Sequence, residues 1–255
     1  GRGFESLTTH LVRCISMKSL GKSLSPLEAV TALYGPLPPQ ESVATRVIHE
    51  VSRPDHHLQL LEISLDSNPH LSWTLFIATP THKKLDRILL SSDGCWPHYL
   101  NEEVIKLVTD HGYTFAWFNR LELAHDSSSK SRSGKVFDAW PDTPWSAISI
   151  WAWAFHRTID ALLEHYKRDP LKVSIIGHSR SGKAALVASA LDARIEVTIS
   201  NNSGTGGAAS LSSHESGSES LENLSLEFPH WLSPDALLKK RREFLIQHDI
   251  SYHWI

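Results

Sequence analysis

Apolar and polar positions follow two regimes along the chain. From Glu41 to Ala78 they alternate. Val43–Val51 and Leu58–Leu65 read as half-buried antiparallel strands, with Arg53-Pro54-Asp55-His56-His57 as an exposed turn between them. Leu71–Ala78 reads as a third strand, closed by Thr79-Pro80. Beyond that point short apolar runs take over, at Ile88–Leu90, Tyr113–Phe118, Leu171–Ile176 and Ile195–Ile199. Helical spacing separates them. Asn101–His111 is one helix. A second opens at Asp142-Thr143-Pro144, with Thr143 as cap, and its stripe is Ile148, Trp151, Phe155, Ile159, Leu162, Leu163 and Tyr166. Strands alternating with helices predict an α/β architecture around a parallel sheet. Outside this block, Ser25-Pro26-Leu27-Glu28 forms a capping box for a helix to Leu33. Leu123–Asp138 is a polar, Ser-rich loop, and a charged helix is predicted from Pro234 to about His248.

The segment Leu171–Asn202 carries the chemistry. A buried strand meets Gly177-His178-Ser179-Arg180-Ser181-Gly182 with no room for a loop, and an Ala-rich helix over Lys183–Leu191 follows. A serine on such a strand-to-helix turn matches the nucleophile elbow of α/β-hydrolases. The turn lifts Ser179 Oγ clear of the sheet. Positions two before and two after must be small, because strand and helix nearly touch. The N–H groups opening the helix point where an oxyanion forms. Ser181 stands where the usual G-x-S-x-G has its second glycine. The alternative for Ser179 is a simple helix cap. Gly94 and Cys95, in the loop after the Ile88 strand, are candidates to line the oxyanion site, the alternative being a plain turn.

Composition narrows the class. The 255 residues fit one α/β domain, 1–255, in which 1–40 is an N-terminal extension. A net charge of −3 leaves no footprint for nucleic acid or an anionic membrane. No apolar run has membrane-spanning length. Cys14 and Cys95 allow at most one disulfide, and no metal-ligand spacing occurs; no carboxylate or thiol partner pattern marks His56-His57 as a metal site. The nine tryptophans are mostly expected in the core, with some available to a carbohydrate-facing cleft.

Three ordered motifs, I-G-H-S-R-S-G-K-A-A-L, I-S-N-N-S-G-T-G-G-A-A and F-P-H-W, together with the helix S-A-I-S-I-W-A-W-A-F-H-R-T-I-D, resemble carbohydrate esterase family 15, the glucuronoyl esterases, and its bacterial branch most. The resemblance runs from about Ile88 to Trp231. It implies an α/β-hydrolase fold in three layers, αβα, with a mostly parallel central sheet, antiparallel N-terminal strands and the C-terminal strands missing. It also implies a serine esterase that cleaves 4-O-methyl-glucuronic acid esters joining xylan to lignin alcohols, through an acyl-enzyme. By the same resemblance Ser179 is the nucleophile, Arg180 holds the oxyanion, and Lys183 and Glu219 bind the sugar. No cofactor or metal is implied. A monomer is expected, secreted or periplasmic, although the chain shows no export signal.

Two departures stand out. The family's acid position, a Glu before Ser-Gly, is Asn202 here. Bacterial relatives with that asparagine take the acid from a later segment, which corresponds to Ser251-Tyr252-His253, leaving Asp249 as a possible substitute. The family's catalytic histidine lies beyond Trp231, and none of the 16 histidines matches it; His230 belongs to a structural motif. The chain therefore reads as a truncated member. Alternatives are an impaired relative that binds uronic-acid glycans, and an esterase for another ester such as acetyl.

Overall fold

The computed structural model describes residues 25–82, 87–96, 100–130, 132–167, 172–212 and 218–249. Cys14 and Ser251-Tyr252-His253 lie outside them. Among the described residues seven strands form one sheet in the order β1-β2-β3-β5-β4-β6-β7. They are β1 (Val43–Ser52), β2 (His56–Leu65), β3 (Ser72–Pro80), β4 (Arg87–Ser91), β5 (Thr114–Phe118), β6 (Lys172–His178) and β7 (Ile195–Asn201). β1, β2, β3 and β5 pair antiparallel in turn, whereas β5, β4, β6 and β7 pair parallel. The change of periodicity at Ala78 thus marks the change of pairing.

The helices are α1 (Pro26–Tyr34), α2 (Glu102–Asp110), α3 (Lys135–Ala139), α4 (Ala147–Tyr166), α5 (Arg180–Leu191), α6 (Leu221–Glu227) and α7 (Lys239–His248). α2 covers one face of the sheet, where Ile105 packs with Ala78, Phe115 and Trp117. α1, α4 and α5 cover the other, with Ala116 and Phe118 pointing to them. β5 therefore feeds both layers from alternate residues. Trp73, Trp151 and Trp153 fill the larger core, and each indole N–H finds an acceptor: Thr158 Oγ1, Ala124 O and Pro39 O. Trp96, by contrast, is exposed.

The Ser25 capping box is formed, and α1 buries Ala29, Val30, Leu33 and Tyr34 in the main core. Four readings need correction. His56 belongs to β2, fully buried, its Nδ1 2.9 Å from Asp55 Oδ1; the turn is shorter than its polar letters suggest. α4 is capped by Ser146, which exchanges hydrogen bonds with Ser149, while Thr143 receives Arg132. α7 begins at Lys239, not Pro234. The 123–138 loop contains a 3-10 turn, Ser128–Lys130, and the start of α3. At the sheet edge, Val197 and Ile199 of β7 are 50% and 44% exposed.

Candidate active site

β6 ends at His178 and α5 begins at Arg180, so Ser179 alone makes the turn. Its backbone lies at φ 55°, ψ −118°, a region costly for any residue with a Cβ and typical of functional turns. Two contacts enforce it. Ser179 N–H donates to Asn201 O at 2.8 Å. A Cβ on Gly177 would stand 2.3 Å from Ser181 O, so only glycine lets strand and helix approach this closely. Ser179 occupies the N-cap position but makes no side-chain cap bond. The simple-cap alternative fails, and the hydroxyl is left unspent among the described residues. The N–H of Arg180 opens α5 and has no carbonyl of its own helix to meet.

Ser181 uses its hydroxyl where the usual motif has none. Its Oγ donates to Asp93 Oδ1 at 2.7 Å. The same oxygen accepts from Arg120 Nη1 at 2.6 Å, and Asp93 Oδ2 accepts from the His178 N–H at 3.0 Å. A buried carboxylate thus ties down both flanks of the elbow. The Gly94 N–H, a candidate oxyanion donor, is spent on Phe118 O at 3.0 Å, and a Cβ there would strike that carbonyl. Cys95 beside it is half-buried, and burial pushes its thiol up.

Arg180 pairs with Asp126. Asp126 Oδ1 also accepts from His230 Nε2 at 3.0 Å and Trp231 Nε1 at 2.8 Å. Burial alone would raise this carboxyl, but hydrogen bonds from His230, Arg180 and Trp231, with the Arg180 charge, outweigh it and hold the group at about 2.

Lys183 is 2% exposed. Its Nζ donates to Ser203 O (2.5 Å), Thr205 O (2.7 Å) and Glu219 Oε2 (3.1 Å), so its three protons are all placed. Burial lowers its pKa, and Glu219 opposes that shift. Glu219 keeps 35% of its side chain exposed. The two expected sugar-binding residues are therefore one ion pair, bracing the loop after β7.

Asn202 sits at that loop's start, exposed and at φ 54°, a left-handed conformation asparagine tolerates. Asp249 is drawn to the far end of the loop, where its carboxylate accepts from Ser210 Oγ, the Leu211 N–H and Ser212 Oγ. His178 Nδ1 meets Asn201 Nδ2 at 3.0 Å, and His230 is bound to Asp126. Among the described residues no histidine hydrogen-bonds Ser179 Oγ, and no group of three or more His, Cys, Asp or Glu gathers as metal ligands do. Asp93 and Asp126 went unnoticed in the sequence. Each is a single carboxylate in a polar loop, with partners 27 to 105 positions away.

The family model described as "Glucuronyl esterase, fungi" matches residues 68–233, more than half of the chain. The chain belongs to the glucuronyl esterase family. "Carbohydrate esterase MZ0003" of an unknown prokaryotic organism is 42% identical over 87 residues, 34% of this chain and 20% of that protein. "4-O-methyl-glucuronoyl methylesterase 1" of Wolfiporia cocos is 32% identical over 116 residues, 44% of this chain and 28% of that one. A solved glucuronoyl esterase from Solibacter usitatus is 25% identical with a TM-score of 0.68, over 82% of this chain and 64% of that chain. A Sporotrichum thermophile glucuronoyl esterase, solved with methyl 4-O-methyl-β-D-glucopyranuronate, has a TM-score of 0.65 at 20% identity, over 88% of this chain and 58% of that chain. The fold is the α/β-hydrolase fold of these esterases. The matched part spans under a third of these two curated relatives and under two thirds of these two solved chains.

Proposed function

We propose that the intact protein is a serine carboxylic-ester hydrolase acting on 4-O-methyl-glucuronoyl esters, the bond between glucuronoxylan and lignin alcohols. The observation that carries this reading is the unspent Ser179 hydroxyl on a strained turn, followed directly by Arg180. Ser179 Oγ attacks the ester carbonyl. Negative charge develops on the carbonyl oxygen and is met by the Arg180 N–H and guanidinium. The general base takes the Ser179 proton and hands it to the departing alcohol; it then deprotonates the water that releases the uronic acid and returns the proton to Ser179 Oγ. The general base is a histidine, which we assign to the region the relatives carry beyond the matched segment. Asp249 is its candidate acid partner once one of its serine contacts yields; Asn202 orients at most. Glu219, a third exposed and anchored by Lys183, faces the sugar hydroxyls. The chemistry needs no cofactor or metal. We further propose a monomer that works outside the cytoplasm; no described helix is long and apolar enough to cross a membrane.

A substrate comparison tests the reading. The protein should hydrolyse benzyl glucuronate in preference to 4-nitrophenyl acetate, and Glu219→Gln should erode that preference. Equal turnover of both esters, unchanged in the variant, would remove the sugar-acid specificity.

A further inference from the structure

The F-P-H-W segment looks structural in sequence, yet it converges on the cation beside the nucleophile. A 3-10 turn over Pro229–Trp231 presents two N–H donors, His230 Nε2 and Trp231 Nε1, to the same oxygen of Asp126. The other oxygen of Asp126 takes Arg180 Nη1. The guanidinium carbon lies 5.0 Å from the Trp231 ring centroid and 6.0 Å from that of Phe228. Those two rings stack at 4.0 Å and 6°. Three stretches distant in sequence thus meet on one guanidinium: the 126 loop, the elbow and the 228–231 turn.

Packing alone does not require this arrangement. The Asp126 side chain is only 7% exposed, and an unpaired carboxylate there would be costly to bury. Three donors satisfy it, two of them on side chains at most 3% exposed. Arg180 itself retains 29% exposure, so part of the cation stays accessible while one edge is gripped. An ungripped arginine would sample many rotamers and would have to be ordered as charge develops.

We propose that Asp126 is a positioning residue: clamped by His230 and Trp231, it fixes the Arg180 guanidinium so that its exposed part meets the developing oxyanion. This rests on the esterase reading for its role in catalysis, but the clamp can be tested without turnover. Asp126→Asn is the informative change. The amide oxygen still accepts from His230 and Trp231, and an NH2 group then faces Arg180, so the guanidinium contact is what is lost.

The experiment compares the intact protein with its Asp126→Asn, Arg180→Gln and double variants. Benzyl glucuronate hydrolysis is measured on each, and ¹⁵N NMR of the Arg180 guanidinium on wild type and Asp126→Asn, which keep the arginine. In Asp126→Asn, kcat is expected to fall about 10- to 100-fold with KM little changed, as for a displaced catalytic contact. The double variant should be no slower than Arg180→Gln alone. The resolved Nη signals of Arg180 should collapse to an average as rotation about Nε–Cζ is freed. Trp231→Phe keeps the ring stack and removes one donor, so it should shift the same signals less, and it serves if Asp126→Asn folds poorly. Nη signals unchanged in Asp126→Asn, or a rate loss that simply adds to that of Arg180→Gln, would overturn the proposal. Failure of every protein to cleave the ester would overturn the esterase reading instead, and the NMR comparison would still decide the clamp.

Discussion

Lys183→Met should destabilise the protein by several kcal/mol while leaving the apolar stem of the side chain in place. The lysine is 2% exposed, and its ammonium is the partner of Ser203 O, Thr205 O and Glu219 Oε2. Methionine reaches the same depth but donates nothing. Two carbonyls of a largely buried loop lose their donor, at about 1–3 kcal/mol each. The Glu219 carboxylate is a third exposed and regains water, so losing the pair adds less than about 1 kcal/mol. The sum is about 2–7 kcal/mol, and at roughly 2–4 °C per kcal/mol for a domain of this size the thermal midpoint should fall by about 4–28 °C. Calorimetry and urea unfolding of both proteins measure it. Amide exchange should localise the loss, because the Gly207 and Ala209 N–H groups both bond Gly204 O in this loop. Glu219→Gln, which retains an acceptor for Lys183, should cost much less. A Lys183→Met midpoint within about 2 °C of wild type would mean the ammonium does not brace the loop, and the accounting per carbonyl would be refuted.

Other changes probe the elbow and its clamp. Ser179→Gly removes a side chain from an unfavourable backbone region, so urea unfolding should show stability raised by about 1 kcal/mol as hydrolysis disappears; a destabilised variant would contradict the strain. Gly177→Ala sets a Cβ 2.3 Å from Ser181 O and should abolish soluble folded protein or lower the midpoint sharply by circular dichroism. Asp126 makes stability pH-dependent. Its folded pKa of about 2 lies below the ordinary 3.8, so its contribution is fully present above about pH 4 and lost as pH falls through 2. That shift corresponds to about 2 kcal/mol. Urea titrations at pH 5 and pH 2 should show a smaller acid loss in Asp126→Asn than in wild type by about that amount; identical losses would contradict the pairing.

The elbow was legible because its determinants are local. A buried strand, a glycine, a serine and an Ala-rich helix lie within a few residues, and each constrains the next. The Ser25 cap of α1 was readable for the same reason. Thr143 misled because Pro144 is an apt first helical residue, yet the chain turns helical only after Ser146, and the Thr143 carbonyl and hydroxyl take Arg132 instead. His56 looked like part of a turn because Pro54 and Asp55 precede it, whereas β2 begins at His56 itself and buries it. Asp93 and Asp126 were hidden for a different reason. Their importance comes from where the fold places Arg120, Ser181, Arg180, His230 and Trp231, and no spacing rule links those positions. The motif marks Lys183 but not its burial, since an isolated lysine one turn into a helix ordinarily points to solvent.

Whether Ser179 is the attacking group is decided by hydrolysis of benzyl glucuronate by the intact protein and its Ser179→Ala variant. Measurable turnover is expected in the first and a loss of at least about a thousandfold in kcat in the second, at an unchanged thermal midpoint. Equal rates in the two proteins would contradict that role.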